Sequence, residues 1–390
     1  MSWTRLLDRL LRKVLAANRK TSATASTDAF DRLKAIADEG IMPFCEKALG
    51  FTPTDYQAKF LLDTKQFEAQ CWCRQCVDEN TFVYLSNGNI ARIKDLPEAL
   101  YSGEKECFSV LTDDGREIIA TAEHRFLTRE GWKRLDQLRV ESRIIVPDIV
   151  PVFGATDISP ERAKILAYLI TDGSFGHPNQ SVKFTGKEPY ISEMESCVRK
   201  EFPGIHPKRY QKGNCIDLLL TSHRGNVREN TLNAWLRGLA FLDGFPKIAF
   251  DLPEDKLTLF LNRMFAADGY IGMGSSPRNR LGVGNWFEIG LGTPSHHFAK
   301  ALGLLLLKLG IRTHITVEHP APTNKYTKPF FRLRIHDITS LVRFFGRVGP
   351  IFGKETRSLE AMRILGDRQA RIEAGECPYV TTFRHFNSSN

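Results

Sequence analysis

The sequence predicts a multidomain protein: a helical N-terminal segment, an all-β module of short strands, and an α/β unit of two pseudo-symmetric lobes. Three observations predict it. The 390 residues exceed what a single core of ordinary size serves. At Cys76 the apolar residues switch from helical spacing to short alternating bursts. From residue 159 an order of helix, strands, helix, strand, helix runs through the chain roughly twice, the mark of a diverged internal duplication.

Each element follows from its residues. WTRLLDRLLRKVLAANRK is broken by charge at nearly every turn, so it reads as a short amphipathic helix and not as a signal peptide; no run of about 18 apolar residues occurs, which excludes a membrane-spanning helix. Asp28, Asp31, Asp38 and Glu39 follow too closely for a transit peptide. TSATASTDA is a linker, and AFDRLKAIADEGIMPFCEKALG has helical spacing. In the β module, TFVYL, ECFSVL, EIIATA and RIIVP are strand candidates separated by turn signals such as SNGN and TDDG. The first lobe reads as helix ERAKILAYLI, strands SVKFTG and CIDLLL, and helix TLNAWLRGLAFL. The second reads as helix KLTLFLNRMFAA, strands YIGM and WFEIGLG, helix SHHFAKALGLLLLKLG, strands IRTHITVEH and FFRLRIH, and helix ITSLVRFFGRV.

The net charge of +9 is unevenly placed. Residues 1–150 carry 22 Lys/Arg against 23 Asp/Glu, whereas residues 151–390 carry 32 against 22, so the rear of the chain is the part suited to a polyanion. Eight cysteines spread over the whole length do not make a secreted disulfide scaffold and favour a reducing, intracellular setting. Cys71, Cys73 and Cys76 lie close together, but no second Cys/His pair follows at finger-like spacing, which argues against zinc.

Two short pieces carry the duplication's chemistry: ILAYLITDGS, with Asp172 and Gly173, and FLNRMFAADGY, with Asp268 and Gly269. In each an apolar helix ends in one acid, then a glycine suited to the left-handed turn at a helix C-terminus. A carboxylate is disfavoured there by the helix dipole, and a bound divalent cation would offset the cost. If the two helices pack side by side across a pseudo-two-fold axis, the acids meet, and paired carboxylates suit Mg²⁺ held between protein and phosphate. A helix stop explains one copy; two copies in matching repeats of a basic region favour a site.

These motifs resemble the paired motifs of the LAGLIDADG (DOD-type) homing endonucleases, and the resemblance covers residues 159 to about 354. FEIGLGTPSHHFAKALGLLLLKLGI and RFFGRVGPIFGK are similar to the family's second-lobe strand and helix and to its closing segment. The resemblance implies Asp172, Asp268, Gly173 and Gly269 as metal site, Mg²⁺ as cofactor, Lys354 and Lys247 as candidates for an auxiliary catalytic lysine, and double-stranded DNA as partner, read by saddle-shaped sheets. One alternative is a protein of this fold that binds DNA without cutting it; the other is a fragment of a phage DNA-packaging ATPase with an inactive intein.

In the β module, Cys76 opens CVDENTFVYLSNG, and Thr121 and His124 stand three residues apart in TAEHRFLTREGWKRLDQL. A thiol attacking a neighbouring carbonyl, with an imidazole to protonate the leaving nitrogen, is sound chemistry near neutral pH. These stretches resemble the first two conserved blocks of inteins, in the Hint fold. The resemblance implies attack by Cys76 on the Gln75–Cys76 bond, distorted by Thr121 and His124, and as nuclease target the intein-free allele of the host gene.

GFTPTDYQAKFLL followed by CWCRQ resembles the front of a phage terminase large subunit, which implies adenine contacts from Tyr56 and Gln57 in the cytoplasm of a bacterial or phage-infected cell. The P-loop glycines and lysine do not follow, so residues 1–75 cannot hydrolyse ATP. At the other end, CPYVTTFRHFNSSN has no C-terminal splicing motif: Asn387 precedes Ser388, but Phe386 stands where a histidine belongs. Either a separate polypeptide supplies the C-terminal half or the sequence is truncated. The expected boundaries are 1–75 for the terminase-like segment, 76–150 for the Hint segment, 151–360 for the endonuclease and 361–390 for the tail.

Overall fold

The computed structural model describes residues 76–175, 181–222, 230–275, 285–319 and 329–373, with a few residues before 53 that include helix α1, Ile41–Lys47. The chain forms two compact units, Met1–Trp72 and Cys73–Asn390. Of the first, α1 falls within the stretch read as helical, while Tyr56, Gln57, Cys71, Cys73 and Gln75 lie outside the described residues, as do Phe386, Asn387 and Ser388. No described helix is long and apolar enough to cross a membrane.

The second unit begins with three two-stranded antiparallel ladders. They are β1 (Phe82–Tyr84) with β2 (Ile90–Arg92), β3 (Cys107–Leu111) with β4 (Glu117–Thr121), and β5 (Arg125–Thr128) with β6 (Gly131–Arg134). RIIVP forms no strand; it contributes one isolated bridge, Thr128 to Ile144. Gly115 makes the tight β3–β4 turn at φ +83, a conformation that L side chains avoid.

The rest is a duplicated α/β fold. Helix α2 (Pro160–Asp172) leads into β7 (Gly173–Ser174) and β8 (Val182–Gly186), then α3 (Tyr190–Glu201), β9 (Ile205–Lys212), β10 (Cys215–Ser222) and α4 (Thr231–Gly238). After a small hairpin, β11 (Phe241–Leu242) with β12 (Phe245–Pro246), the order recurs. Helix α5 (Glu254–Ala267) is followed by β13 (Gly269–Ser275), β14 (Asn285–Thr293), α6 (His296–Lys308), β15 (His314–Glu318), β16 (Phe330–Ile335) and α7 (Ile338–Arg347), with α8 (Glu355–Glu373) closing. The sheets have matching strand orders, β7-β8-β10-β9 and β13-β14-β16-β15, all antiparallel.

Periodicity alone leaves α3 and β9 unassigned, and with them the two lobes match element for element. IHPKRYQK hides as a strand because it is an edge strand, exposed from Lys208 to Lys212 and carrying lysines and a proline, features that protect an edge from further pairing.

Helices α2 and α5 pack side by side between the sheets. Leu166, Tyr168 and Leu169 of one and Leu257, Phe260, Leu261 and Phe265 of the other are essentially without exposed surface, and Ala163, Ala167 and Ala266 keep the contact slim. Burying each large side chain contributes about 1.5–3 kcal/mol, so this seam fixes where both helices end. The β module joins the same core through Ile90. Tyr84 donates its hydroxyl to the Leu304 carbonyl at 2.8 Å. The ammonium of the fully buried Lys308 donates to the carbonyls of Gly88 and Phe250 at 2.6 and 2.5 Å.

Candidate functional site

The C-terminal ends of α2 and α5 bring Asp172 and Asp268 together at one end of the seam. The carboxyls are close enough to hydrogen-bond each other, and each keeps one side open to solvent. Burial of the inner side first, then the charge of Asp268 and its hydrogen bond, pushes Asp172 up to about 6, with Lys354 opposing. Asp268 is also raised, by burial, while Lys354 and the bond to Asp172 pull it down. Two carboxyls this close titrate as a unit.

Gly173 and Gly269 do not take the left-handed turn expected of them. Gly173 is extended at φ −93, and both residues start strands. Glycine is required for a different reason: a Cβ would lie 2.3 Å from the Leu169 carbonyl oxygen at Gly173 and 2.5 Å from that of Phe265 at Gly269. Each chain must turn back over its own helix, and a side chain would block the turn.

Lys354 stands at this pair. Its ammonium donates to the carbonyls of Phe265, at 2.8 Å, and Gly269. Burial lowers it to about 8 against the pull of Asp268 and Asp172. Lys247, the other lysine candidate, lies in the short 3₁₀ turn Lys247–Asp251 and is not among the charges that shift either acid.

Two features that hold the site are not evident from motif reading. Asn262, buried on α5, donates its amide nitrogen to the carbonyls of Val348 and Pro350 at 2.9 and 2.8 Å and accepts from the Phe352 N–H at 3.1 Å. It thereby fixes the turn that delivers Lys354. A polar residue on the buried face of the apolar helix FLNRMFAADG is the sequence signal for it. Glu193 on α3 accepts two bonds from Arg263 on α5, at 2.6 and 2.8 Å, one from Tyr168 at 2.6 Å, and pairs with Lys164 at 2.9 Å. Burial alone would raise this carboxyl, yet the bonds from Arg263, Tyr168 and Lys164 hold it at about 2. The network ties the first lobe to the second.

Next to Asp268 a cavity of about 350 Å³ is lined by Tyr270, Gly292, Phe330 and Arg332, all on the sheet of the second lobe.

At the start of the β module the structure also brings Cys76 and Thr121 together. The Thr121 N–H donates to the Cys76 carbonyl at 3.1 Å, and the Thr121 hydroxyl lies 3.4 Å from it. The Cys76 sulfur lies 3.1 Å from the Ser102 hydroxyl and 3.4 Å from the Lys105 ammonium, two neighbours that the TxxH motif does not indicate. His124 is anchored in the same corner, its N–H donating to Thr121 O and its carbonyl accepting from Leu135. Among the described residues Cys107, Cys197 and Cys215 are free thiols.

Residues 255–349, within the second lobe, match the LAGLIDADG-like domain family. Among solved structures the chain is similar to the homing endonuclease I-DmoI in complex with DNA and Mn, at 13% identity over 50% of this chain and 98% of that one, TM-score 0.33. It is also similar to I-SmaMI bound to uncleaved DNA target in the presence of calcium ions, at 10% identity over 56% and 94%, TM-score 0.39. Curated relatives include the replicative DNA helicase DnaB of Synechocystis sp., 27% identical over 81% of this chain and 35% of that protein. DnaB of Rhodothermus marinus is 23% identical over 74% and 31%, and protein RecA of Mycobacterium tuberculosis 25% identical over 66% and 33%. The chain thus spans about a third of the length of the curated relatives it matches.

Proposed function

We propose that the α/β unit is a metal-dependent endonuclease that cuts both strands of a specific DNA site. The observation that carries this reading is the meeting of Asp172 and Asp268, solvent-open on one side, with Lys354 against them. The donor set fits a hard divalent cation: two carboxyls close enough to hydrogen-bond, with burial and the charge of Asp268 raising Asp172. Among the described residues no cluster of three or more His, Cys, Asp or Glu side chains gathers, so water and phosphate oxygens would complete the shell, as Mg²⁺ prefers. When bound there, Mg²⁺ would stabilise charge on the scissile phosphate and acidify a bound water. Asp172 and Asp268 would hold the ion from the two lobes, and Lys354 offers a proton donor beside them. The chain's charge excess past residue 150 supports DNA as the polyanion.

In the same reading residues 76–150 are the N-terminal segment of an intein. One stretch of the chain matches both a replicative helicase and RecA, proteins with different tasks, while covering only a third of each. That pattern supports an element carried within unrelated hosts, and the matched proteins favour a helicase- or RecA-like host over a terminase. Cys76 Sγ attacks the Gln75 carbonyl carbon, the Gln75–Cys76 C–N bond breaks, and His124 protonates the released amine, leaving a thioester.

The test uses the whole chain with Mg²⁺ and the intein-free form of the host gene. Cuts that vanish in Asp172→Asn and Asp268→Asn while binding persists support the reading. Sequence-specific binding by the unaltered protein without any cut sinks the nuclease and leaves a DNA-binding regulator. For the splicing segment, hydroxylamine should release residues 1–75 from the wild type and not from Cys76→Ala.

A further inference from the structure

The two sheets carry the same topology but different outward faces. In the second lobe the cross-strand rows on that face read Tyr270, Gly290, Arg334, His314 and then Gly292, Arg332, Thr316. The central strand β14 thus presents two glycines. A Cβ on Gly290 would lie 2.6 Å from the Tyr270 ring, and one on Gly292 2.4 Å from the Phe330 ring, so the two rings occupy the space above the glycines. The Tyr270 and Phe330 rings thus lie across the two glycines, beside two arginines of β16 that are already held in position. The Arg332 guanidinium lies 5.7 Å from the Tyr270 ring centroid and pairs with Glu318 at 2.9 Å. Arg334 donates to the Thr316 hydroxyl at 3.2 Å and lies 3.8 Å from Glu288.

In the first lobe the equivalent rows read Lys183, Leu219, Lys208 and Thr185, Asp217, Tyr210. The central strand there carries full side chains. The single arginine of its three long strands, Arg209, turns away to Glu188, Glu195 and Ser192 on and before α3. Lysines remain, and a lysine is a mobile point charge that suits phosphate, whereas the planar fork of arginine matches the two acceptors of a guanine edge.

We propose that base sequence is read chiefly by the second lobe, through Arg332 and Arg334 beside the Tyr270 and Phe330 rings, while the first lobe grips its half of the duplex through the backbone with Lys183 and Lys208. This rests on the reading of the chain as a DNA-binding protein. Arg332 lies in the cavity beside Asp268, so the bases it reads are those nearest the acid pair.

The full chain is used to select duplexes from a random-sequence pool at fixed salt, and affinities for selected and scrambled duplexes are then measured. Base preference should concentrate in one half of the site. Arg332→Ala and Arg334→Ala should each flatten preference at one or two positions of that half, with about a 10-fold loss of discrimination. Arg332→Lys keeps the charge and should flatten it equally while leaving affinity for scrambled duplex unchanged. Lys183→Ala with Lys208→Ala should weaken all duplexes alike and reduce the salt slope by about two. Circular dichroism melts confirm that each variant folds. Preference spread evenly over both halves, or flattened by the lysine pair and not by Arg332→Lys, overturns the proposal and leaves DNA binding intact. No enrichment by the unaltered protein would fell DNA binding and the proposal with it.

Discussion

Replacing Glu193 with Gln should uncouple the lobes. The side chains of Glu193 and Arg263 are only 12% and 13% exposed, so solvent does little to screen them. The carboxyl sits at about 2 in the folded chain against an ordinary 4.5, an interval worth about 3 kcal/mol. Because the folded value is the lower one, this stabilisation is complete above pH 4.5 and is lost as the pH falls toward 2. The wild type should therefore lose about 2 kcal/mol from this group between pH 5 and pH 3, read by urea unfolding followed by circular dichroism. Glu193→Gln should be about 3–5 kcal/mol less stable at pH 7, since Arg263 and Lys164 are left buried without their counter-charge. It should also show a flatter pH profile in that window. Pairing it with Arg263→Met should recover part of the loss, giving a coupling of roughly 2 kcal/mol in a double-mutant cycle. Equal losses between pH 5 and pH 3 in the wild type and in Glu193→Gln would refute the assignment, because the ionised carboxylate would then not be the tie.

Asn262→Ala strands two buried carbonyls and should cost about 2 kcal/mol of stability, and by freeing the turn before Lys354 it should lower cleavage more than DNA binding, as single-turnover rates and gel shifts would show. Lys308 is fully buried and lowered by burial to about 8 from 10.5; between these values the unfolded chain holds the extra proton, so stability should rise by about 3 kcal/mol across pH 8 to 10.5, and that rise should be missing in Lys308→Met melts. For the acid pair the sign is opposite to that of Glu193: the folded value of Asp172, about 6, exceeds 3.8, so metal-free stability should fall as pH rises between them. With Asp172 open to solvent the fall is reduced to about 1 kcal/mol; Asp172→Asn should abolish it, and thermal melts should show Mg²⁺ restoring stability at pH 7.

The acid pair was legible in the sequence because its carriers are repeated: two apolar helices ending in Asp-Gly lie within one internal duplication, and packing rules bring equivalent helices together. The glycines were legible as residues but not in their reason, since a helix stop and a chain doubling back over its helix call for the same amino acid. Of the two lysines, only the structure separates Lys354 from Lys247, because the choice depends on a turn fixed by Asn262 six residues before Asp268. The strands of the β module were partly missed where they are short: β2, β5 and β6 have three or four residues, too few for an alternating pattern to rise above chance. The outward face of the second sheet is invisible in one dimension, since Tyr270, Gly290, Arg334 and His314 become neighbours only through strand register.

The seam between the β module and the α/β unit has a consequence for inheritance. Gly88 is folded so tightly that a Cβ would meet Phe153 and Gly154 backbone at 2.5 Å, and one on Gly115 would meet the Ile315 carbonyl at 2.4 Å. Excising the α/β unit would leave Ile90 and Tyr84 facing water, and both turns would lose the backbone they are shaped around. A lineage could silence the acid pair by a single base change and keep the fold, but it could not shed the α/β unit cleanly without rebuilding the surface of the module that remains. Decay by point substitution, with the two parts kept together, is the route this architecture leaves open.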